Sequence, residues 1–425
     1  MRLVARSANS SLLRAGMLLT VAAIIAGALG YVFQILMGRL LPDEEFAVFS
    51  ALNALSMVFG SPLAALVMLI ARRVASLQAA GEEGALPAMY GFWQTRVVAV
   101  CLVLAGLLAW GMPVVQGFVK TTDVIALWLF FGIVALNALV VVNLAFFQGL
   151  HRFGWLSGLA ILIVIVKIAS SVSLIVVADW GVRGALAGML IAAGLTWAFG
   201  RGILRRDFAN VEPPTETRPH GFPWVEAGPV LSATVGFAVL SQLDVPLANR
   251  FFEPSVASAY AAAAVLGKAV LYIPGGLVMA LFPMVAANET RSESSGRLLR
   301  QSLLATLALC VAVVVGYAIF GKQVVSILYG GRYPGAGALL GLYGSAMVPL
   351  AIALVMKNFF IASGTQTFSW IVGGSALAFG CGVLFSRPSS PAGVISAVAL
   401  SALIICSVGV AVLMQSKFGR VSVET

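Results

Sequence analysis

The stretch Ser241-Gln-Leu-Asp244-Val-Pro246-Leu-Ala-Asn-Arg250-Phe-Phe-Glu-Pro254 decides how this chain folds. It begins inside one long apolar segment and ends where the next one starts. Beyond it come Tyr260 in an alanine run, then Lys268, then the Pro274-Gly-Gly276 break. Two segments long enough to cross a bilayer, about 20 residues each, therefore meet at a short polar turn. Each carries an ionisable side chain, Asp244 or Lys268. Such groups are expensive in hydrocarbon and mark pathways for polar cargo or ions.

The rest of the composition agrees. The chain has 425 residues, 60% hydrophobic and 10% charged, with a mean hydropathy of +1.02. A soluble domain carries about 25% charged residues, so this is an all-α polytopic membrane protein. The net charge of +10 would suggest nucleic acid in a soluble protein. Here basic residues gathered in cytoplasmic loops account for it, and no nucleic-acid partner is expected. Cys101, Cys310, Cys381 and Cys406 stand singly in apolar segments without metal-ligand spacing. Neither a metal nor an organic cofactor is expected. The apolar run from Ala15 to Leu41 is too long for a signal peptide and reads as the first span.

Counting apolar runs between polar breaks predicts twelve spans. The sixth is Gly184–Gly200, the seventh Pro229–Phe252, the eighth Val256–Ala286 and the eleventh Phe368–Phe385. With the N-terminus in the cytoplasm, sixteen Lys and Arg fall inside and seven outside, leaving Lys167, Lys268 and Lys357 within spans. That bias predicts both termini in the cytoplasm. The polar segment with Pro213, Pro214, Pro219 and Pro223 reads as a linker. The expected organisation is a six-helix lobe over 1–204, a cytoplasmic linker over 205–227 and a second six-helix lobe over 228–425.

The two lobes read as a repeat. Arg39, Phe49 and Ala51 recur as Arg250, Tyr260 and Ala262, 211 residues later. Asn143, Gly149, Phe153 and Trp155 recur as Asn358, Gly364, Phe368 and Trp370, 215 residues later. Six spans per half predicts a parallel repeat, with pseudo-symmetric lobes around a central cavity.

Three stretches carry a resemblance to a known family. They are Gln242-Leu-Asp244 through Pro283, Gly38-Arg-Leu-Leu-Pro-Asp-Glu-Glu-Phe46-Ala-Val-Phe49, and Gln148-Gly-Leu-His-Arg-Phe153-Gly-Trp155. Together they resemble the polysaccharide-transporter branch of the multidrug/oligosaccharidyl-lipid/polysaccharide exporter superfamily, the O-antigen, capsule and exopolysaccharide flippases. Ala47 and Ser258 stand where that family has glycine, and both are small. The resemblance implies a bacterial inner-membrane flippase. Its cargo would be an undecaprenyl-diphosphate-linked oligosaccharide or similar glycolipid, moved by alternating access and driven by H⁺ or Na⁺. Polymerase and glycosyltransferases of the same pathway would be its partners, besides membrane lipids.

An anionic diphosphate and a hydrated sugar need cations and polar groups. Lys268, Lys167, Arg250 and Arg39 are the candidate phosphate ligands. Gln34 and Gln242 are the candidate sugar contacts, with Asn53, Asn143, Gln148 and Asn358 as further polar positions that equally suit helix-to-helix bonds. Asp244, about 10 Å deep by helical rise, is the candidate ion-coupling residue. A fixed Asp244–Lys268 ion pair is the structural alternative. Lys357 is expected to snorkel to the interface. Pro62, Pro246 and Pro274 are expected to kink or break their helices. A cation-coupled multidrug antiporter of the same fold is the other functional reading. The histidines, His151 and His220, sit in no acid–base pair, so an enzyme is not expected.

Overall fold

The structure is a computed structural model that describes residues 2–209, 224–272 and 292–421, with side chains described over 18–209, 228–272 and 296–414. His220, Pro274, Pro283 and the four linker prolines lie outside the described residues. The described elements are helical. The first eight are α1 Arg2–Leu40, α2 Asp43–Ala79, α3 Leu86–Val119, α4 Val124–Gly149, α5 Phe153–Val176, α6 Gly181–Phe208, α7 Trp224–Gln242 and α8 Asp244–Phe251. The rest are α9 Pro254–Gly267, α10 Ala269–Tyr272, α11 Ser292–Tyr329, α12 Pro334–Ala362, α13 Gln366–Ser386 and α14 Pro391–Val421. Among the described residues, eleven helices are long and apolar enough to cross a membrane, and twelve if the bent pair α7–α8 is one span. The chain is a multi-pass membrane protein, and the sixth and eleventh expected spans are both formed, as α6 and α13.

The chain divides into two compact units, Met1–Glu45 with Pro62–Phe222, and Phe46–Ser61 with Pro223–Thr425. The division inside α2 falls at Pro62. That proline has no N–H for the Val58 carbonyl one turn back. The Ser61 hydroxyl donates to that carbonyl instead, at 2.7 Å, and α2 runs through Pro62 without a break. In the second unit Phe46 packs on Tyr333 and Tyr329, at centroid distances of 5.5 and 6.4 Å.

The units repeat one packing plan. In the first, α1 packs on α5, α4 on α6, α3 on α4 and α5 on α6. In the second, α7 packs on α13, α12 on α14, α11 on α12 and α13 on α14. The connections repeat too. Leu41 N–H bonds Met37 O and Phe252 N–H bonds Ala248 O, each at 3.0 Å and 211 residues apart. Phe49 and Tyr260, the repeat-related aromatics, are both fully buried.

The second repeat register needs correction. After α4, Leu150, His151 and Arg152 donate to Phe146, Gln148 and Phe147, and after α12, Ser363, Gly364 and Thr365 donate to Phe359, Ile361 and Phe360. Each bond recurs 213 residues on, not 215. Both turns place one residue in the left-handed region, His151 at φ 56° and Gly364 at φ 70°, as helix C-terminal caps of this kind do. The Asn143–Asn358 match therefore aligns similar letters two residues out of structural phase.

Candidate functional site

Two helix junctions in the second unit carry the two charges that the sequence singles out. Pro246 cannot donate to Gln242 O, and its ring crowds that carbonyl. The helix stops at Gln242, Leu243 forms a turn, and α8 restarts at Asp244 with a bend of 40°. The expected single seventh span is thus two helices, with Asp244 in the first turn of the second. A carboxylate is favourable there because the helix dipole presents positive charge. The expected eighth span has a lesser irregularity: α9 ends at Gly267 and α10 starts at Ala269, while Lys268 N–H still bonds Ala264 O and Lys268 O accepts from Tyr272 N. Discontinuous spans such as α7–α8 free polar groups at depth and are used as ion and substrate sites in transporters.

The two side chains meet. Lys268 Nζ lies 3.3 Å from Asp244 Oδ1 and donates to Gln242 Oε1 at 2.9 Å. The other carboxylate oxygen accepts from two phenols, Tyr260 at 3.0 Å and Tyr343. The Gln242 amide donates to Tyr272 OH at 2.9 Å. The Tyr260 and Tyr343 rings meet edge to face, 5.6 Å apart. Asp244 is 1% exposed and Lys268 7%, so the pair is dry. Burial of an ion pair requires its remaining lone pairs and protons to be satisfied, and the tyrosines and glutamine supply that shell. Gly267 makes the arrangement possible, since a Cβ there would run into the Tyr343 ring.

The structure therefore brings together Lys268, Gln242 and Asp244, in the geometry of the ion-pair alternative. Arg250 is six residues further along α8 and partly buried. In the first unit, Gln34 is partly buried, Arg39 is exposed at the end of α1, and Lys167 places its ammonium 4.4 Å from the centroid of the Phe33 ring. Lys357 does not snorkel. It is 9% exposed, with its ammonium 4.8 Å from the Phe237 ring centroid. An aromatic face attracts a cation strongly when water is excluded, and here it faces the buried ammonium. Asn143 is a helix-to-helix contact, accepting from Tyr90 and Gln94 and donating to Trp197 O.

Tyr343 and Tyr272 were not legible as site residues, because a tyrosine in an apolar run reads as an interface anchor. The available signal was Tyr343, a phenol more than two turns inside its span.

No family model and no curated protein sequence matches the chain. Solved structures do. An inward-facing multidrug resistance MATE family transporter of the MOP superfamily aligns with a TM-score of 0.72 at 14% identity, over 93% of this chain and 96% of that one. The lipid II flippase MurJ, in an inward closed conformation, aligns with a TM-score of 0.69 at 13% identity, over 94% and 87%. A Vibrio cholerae MATE transporter, VcmN, aligns at 0.65 and 15% identity, over 96% and 98%. At such identities the likeness defines the fold, which is the one these transporters share.

Proposed function

We propose that this protein is an exporter that translocates a lipid-diphosphate-linked oligosaccharide across a bacterial inner membrane by alternating access. The reading rests on the balance of charge at depth. Asp244 is the carboxylate buried in a span among the described residues, and Lys268 already occupies it. Lys167 and Lys357 face aromatic rings rather than acids. A surplus of base over acid favours an anionic cargo, such as a diphosphate, over a cationic drug. The fold shared with a lipid-linked flippase is compatible with such a cargo. The fold shared with MATE transporters keeps cation-coupled drug antiport as the alternative.

In this reading the Asp244–Lys268 pair is the coupling element. A proton delivered to Asp244 cancels its charge and leaves Lys268 with Gln242 alone, in a dry site where an unpaired charge is costly. The two helix junctions are the hinges through which the strain is relieved, and a Na⁺ competing for the same carboxylate would act alike.

The test is reconstitution. Purified protein in liposomes is given a fluorescent undecaprenyl-diphosphate oligosaccharide on one leaflet, and its appearance on the other is followed with a membrane-impermeant quencher. The expected result is translocation that rises with an imposed proton or sodium gradient and falls in Lys167→Ala/Lys268→Ala. Efflux of a cationic dye with no movement of the glycolipid would replace this reading with the antiporter.

A further inference from the structure

A second polar assembly lies in the first unit and contains none of the residues the transport reading uses. A cavity of about 530 Å³ opens between the start of α3 and the end of α6. Its floor is a closed network. Tyr90 OH and Gln94 Nε2 both donate to Asn143 Oδ1, at 2.7 and 3.1 Å, and Trp197 Nε1 donates to Gln94 Oε1 at 3.2 Å. Gly200 leaves room for this, because a Cβ there would come within 2.8 Å of Asn143 Nδ2. The network fixes the Trp197 indole, and the Arg201 guanidinium lies over that indole, 5.2 Å from the ring centroid. Arg205, one turn on, lines the same cavity. Among the described residues neither guanidinium has a carboxylate partner, whereas Arg152 is paired with Asp207 close by.

Two guanidiniums without a carboxylate partner, one of them stacked on an indole, line this one cavity and suit a phosphate, which Arg binds through paired N–H groups. The volume suits a small headgroup. Val98 lines the cavity, and Leu102, one turn further along α3, is exposed, so an apolar strip leads from the cavity along the span. A ligand that matches both features carries a phosphate and an acyl chain together. We infer that this cavity binds the phosphate headgroup of an anionic membrane phospholipid, with one chain lying along α3. This goes beyond the transport reading and does not depend on it.

The experiment uses the full-length protein in neutral detergent, titrated with phosphatidylglycerol, with zwitterionic phosphatidylcholine and with inorganic phosphate, and bound lipid is counted by native mass spectrometry. One phosphatidylglycerol is expected to be retained in preference to phosphatidylcholine. Arg201→Gln/Arg205→Gln should weaken it about tenfold or more, as loss of a charge-assisted contact does. Arg72→Gln/Arg73→Gln removes the same charge elsewhere in this unit and should leave retention unchanged. Thr95→Phe fills the cavity without touching charge and should reproduce the loss, which covers the case of a misfolded arginine variant. Equal losses in the two arginine pairs would mean diffuse surface electrostatics and overturn the site. Unchanged retention in Thr95→Phe would overturn it as well. Displacement of the lipid by millimolar inorganic phosphate would assign the cavity to a soluble phosphate compound instead.

Discussion

Asp244 and Lys268 stand 24 residues apart in sequence, each at a junction between two helices, and their charged groups meet at 3.3 Å. The junctions and the pair depend on one another. Asp244 opens α8 after the 40° bend and Lys268 joins α9 to α10, and the ion pair is what makes two such charges tolerable in a buried position. Removing one partner strands the other. Asp244→Asn keeps an amide oxygen for the two phenols but leaves Lys268 without its counter-charge, and a loss of about 3–5 kcal/mol is expected. Lys268→Met should cost less, because Tyr260 and Tyr343 still donate to the carboxylate. The double substitution should cost less than the sum of the two, with a coupling of about 0.5–3 kcal/mol. Thermal unfolding of the four proteins in detergent measures it. Strict additivity would mean that the two groups do not act as a pair.

Gly267 tests the packing behind that pair. Its missing Cβ is the space into which the Tyr343 ring fits, and Tyr343 donates to Asp244. Gly267→Ala is therefore expected to push the ring away and weaken the hydrogen bond, at about 1–3 kcal/mol for overpacking. Alanine is the better helix former by up to about 1 kcal/mol, so a stabilised variant would show that the steric term is absent. Tyr343→Phe in the Gly267→Ala background separates the effects. If the hydroxyl contact is already lost, its removal should cost little more.

How far the sequence discloses this structure depends on the range of the interaction. Spans were legible because burial in lipid is dictated by local composition. The turn between Arg39 and Phe49 was legible against that between Arg250 and Tyr260, because a length difference was not needed to superpose them. The Asn143–Asn358 match misled by two residues. Turn geometry is set by backbone hydrogen bonds, and the glycine that looked equivalent to Gly149 is instead equivalent to His151. Asp244 and Lys268 announced themselves by their cost in hydrocarbon. Tyr343 did not, since its role comes from α12 packing on α9, a contact with no local trace. The assignment of Phe46–Ser61 to the second unit was equally silent, because Pro62 marks a point in α2 but not which neighbours each side of it packs against.

Lys167 and Lys357 separate transport from stability. Each has an aromatic face and no acid partner among the described residues. Replacing such a lysine by methionine removes a buried charge while keeping the volume, so Lys357→Met is expected to leave thermal stability equal or higher. A cation–π contact in a dry site is worth about 2 kcal/mol, and the cost of desolvating the ammonium offsets it. If these cations meet an anionic cargo, the same substitutions should lower glycolipid translocation severalfold. A variant with unaltered translocation and lower stability would assign Lys357 to packing alone.

The connection between α3 and α4 gives a prediction in pH. Asp123 caps α4, accepting from Ile125 N and Ala126 N at 3.0 and 3.1 Å, and its other oxygen takes the Arg183 Nε–H at 2.6 Å. Burial pushes the Asp123 carboxyl up, but the Arg183 hydrogen bond, the two backbone N–H groups and the Arg183 charge outweigh it, so the net shift is downward. A carboxyl held below its unfolded value, about 3.9, contributes stability that is fully present above that pH and is lost as pH falls through the folded value. Asp123→Ala should therefore be less stable than the parent by about 1 kcal/mol at neutral pH from the lost cap. Asp123→Asn keeps the cap and should lose only the ion-pair share. The gap between parent and Asp123→Asn is expected to stay constant from neutral pH down to about 4, then close on further acidification. Thermal unfolding across that range checks it. A gap that narrowed already between pH 7 and pH 5 would mean that another group, not Asp123, controls the acid sensitivity of this connection.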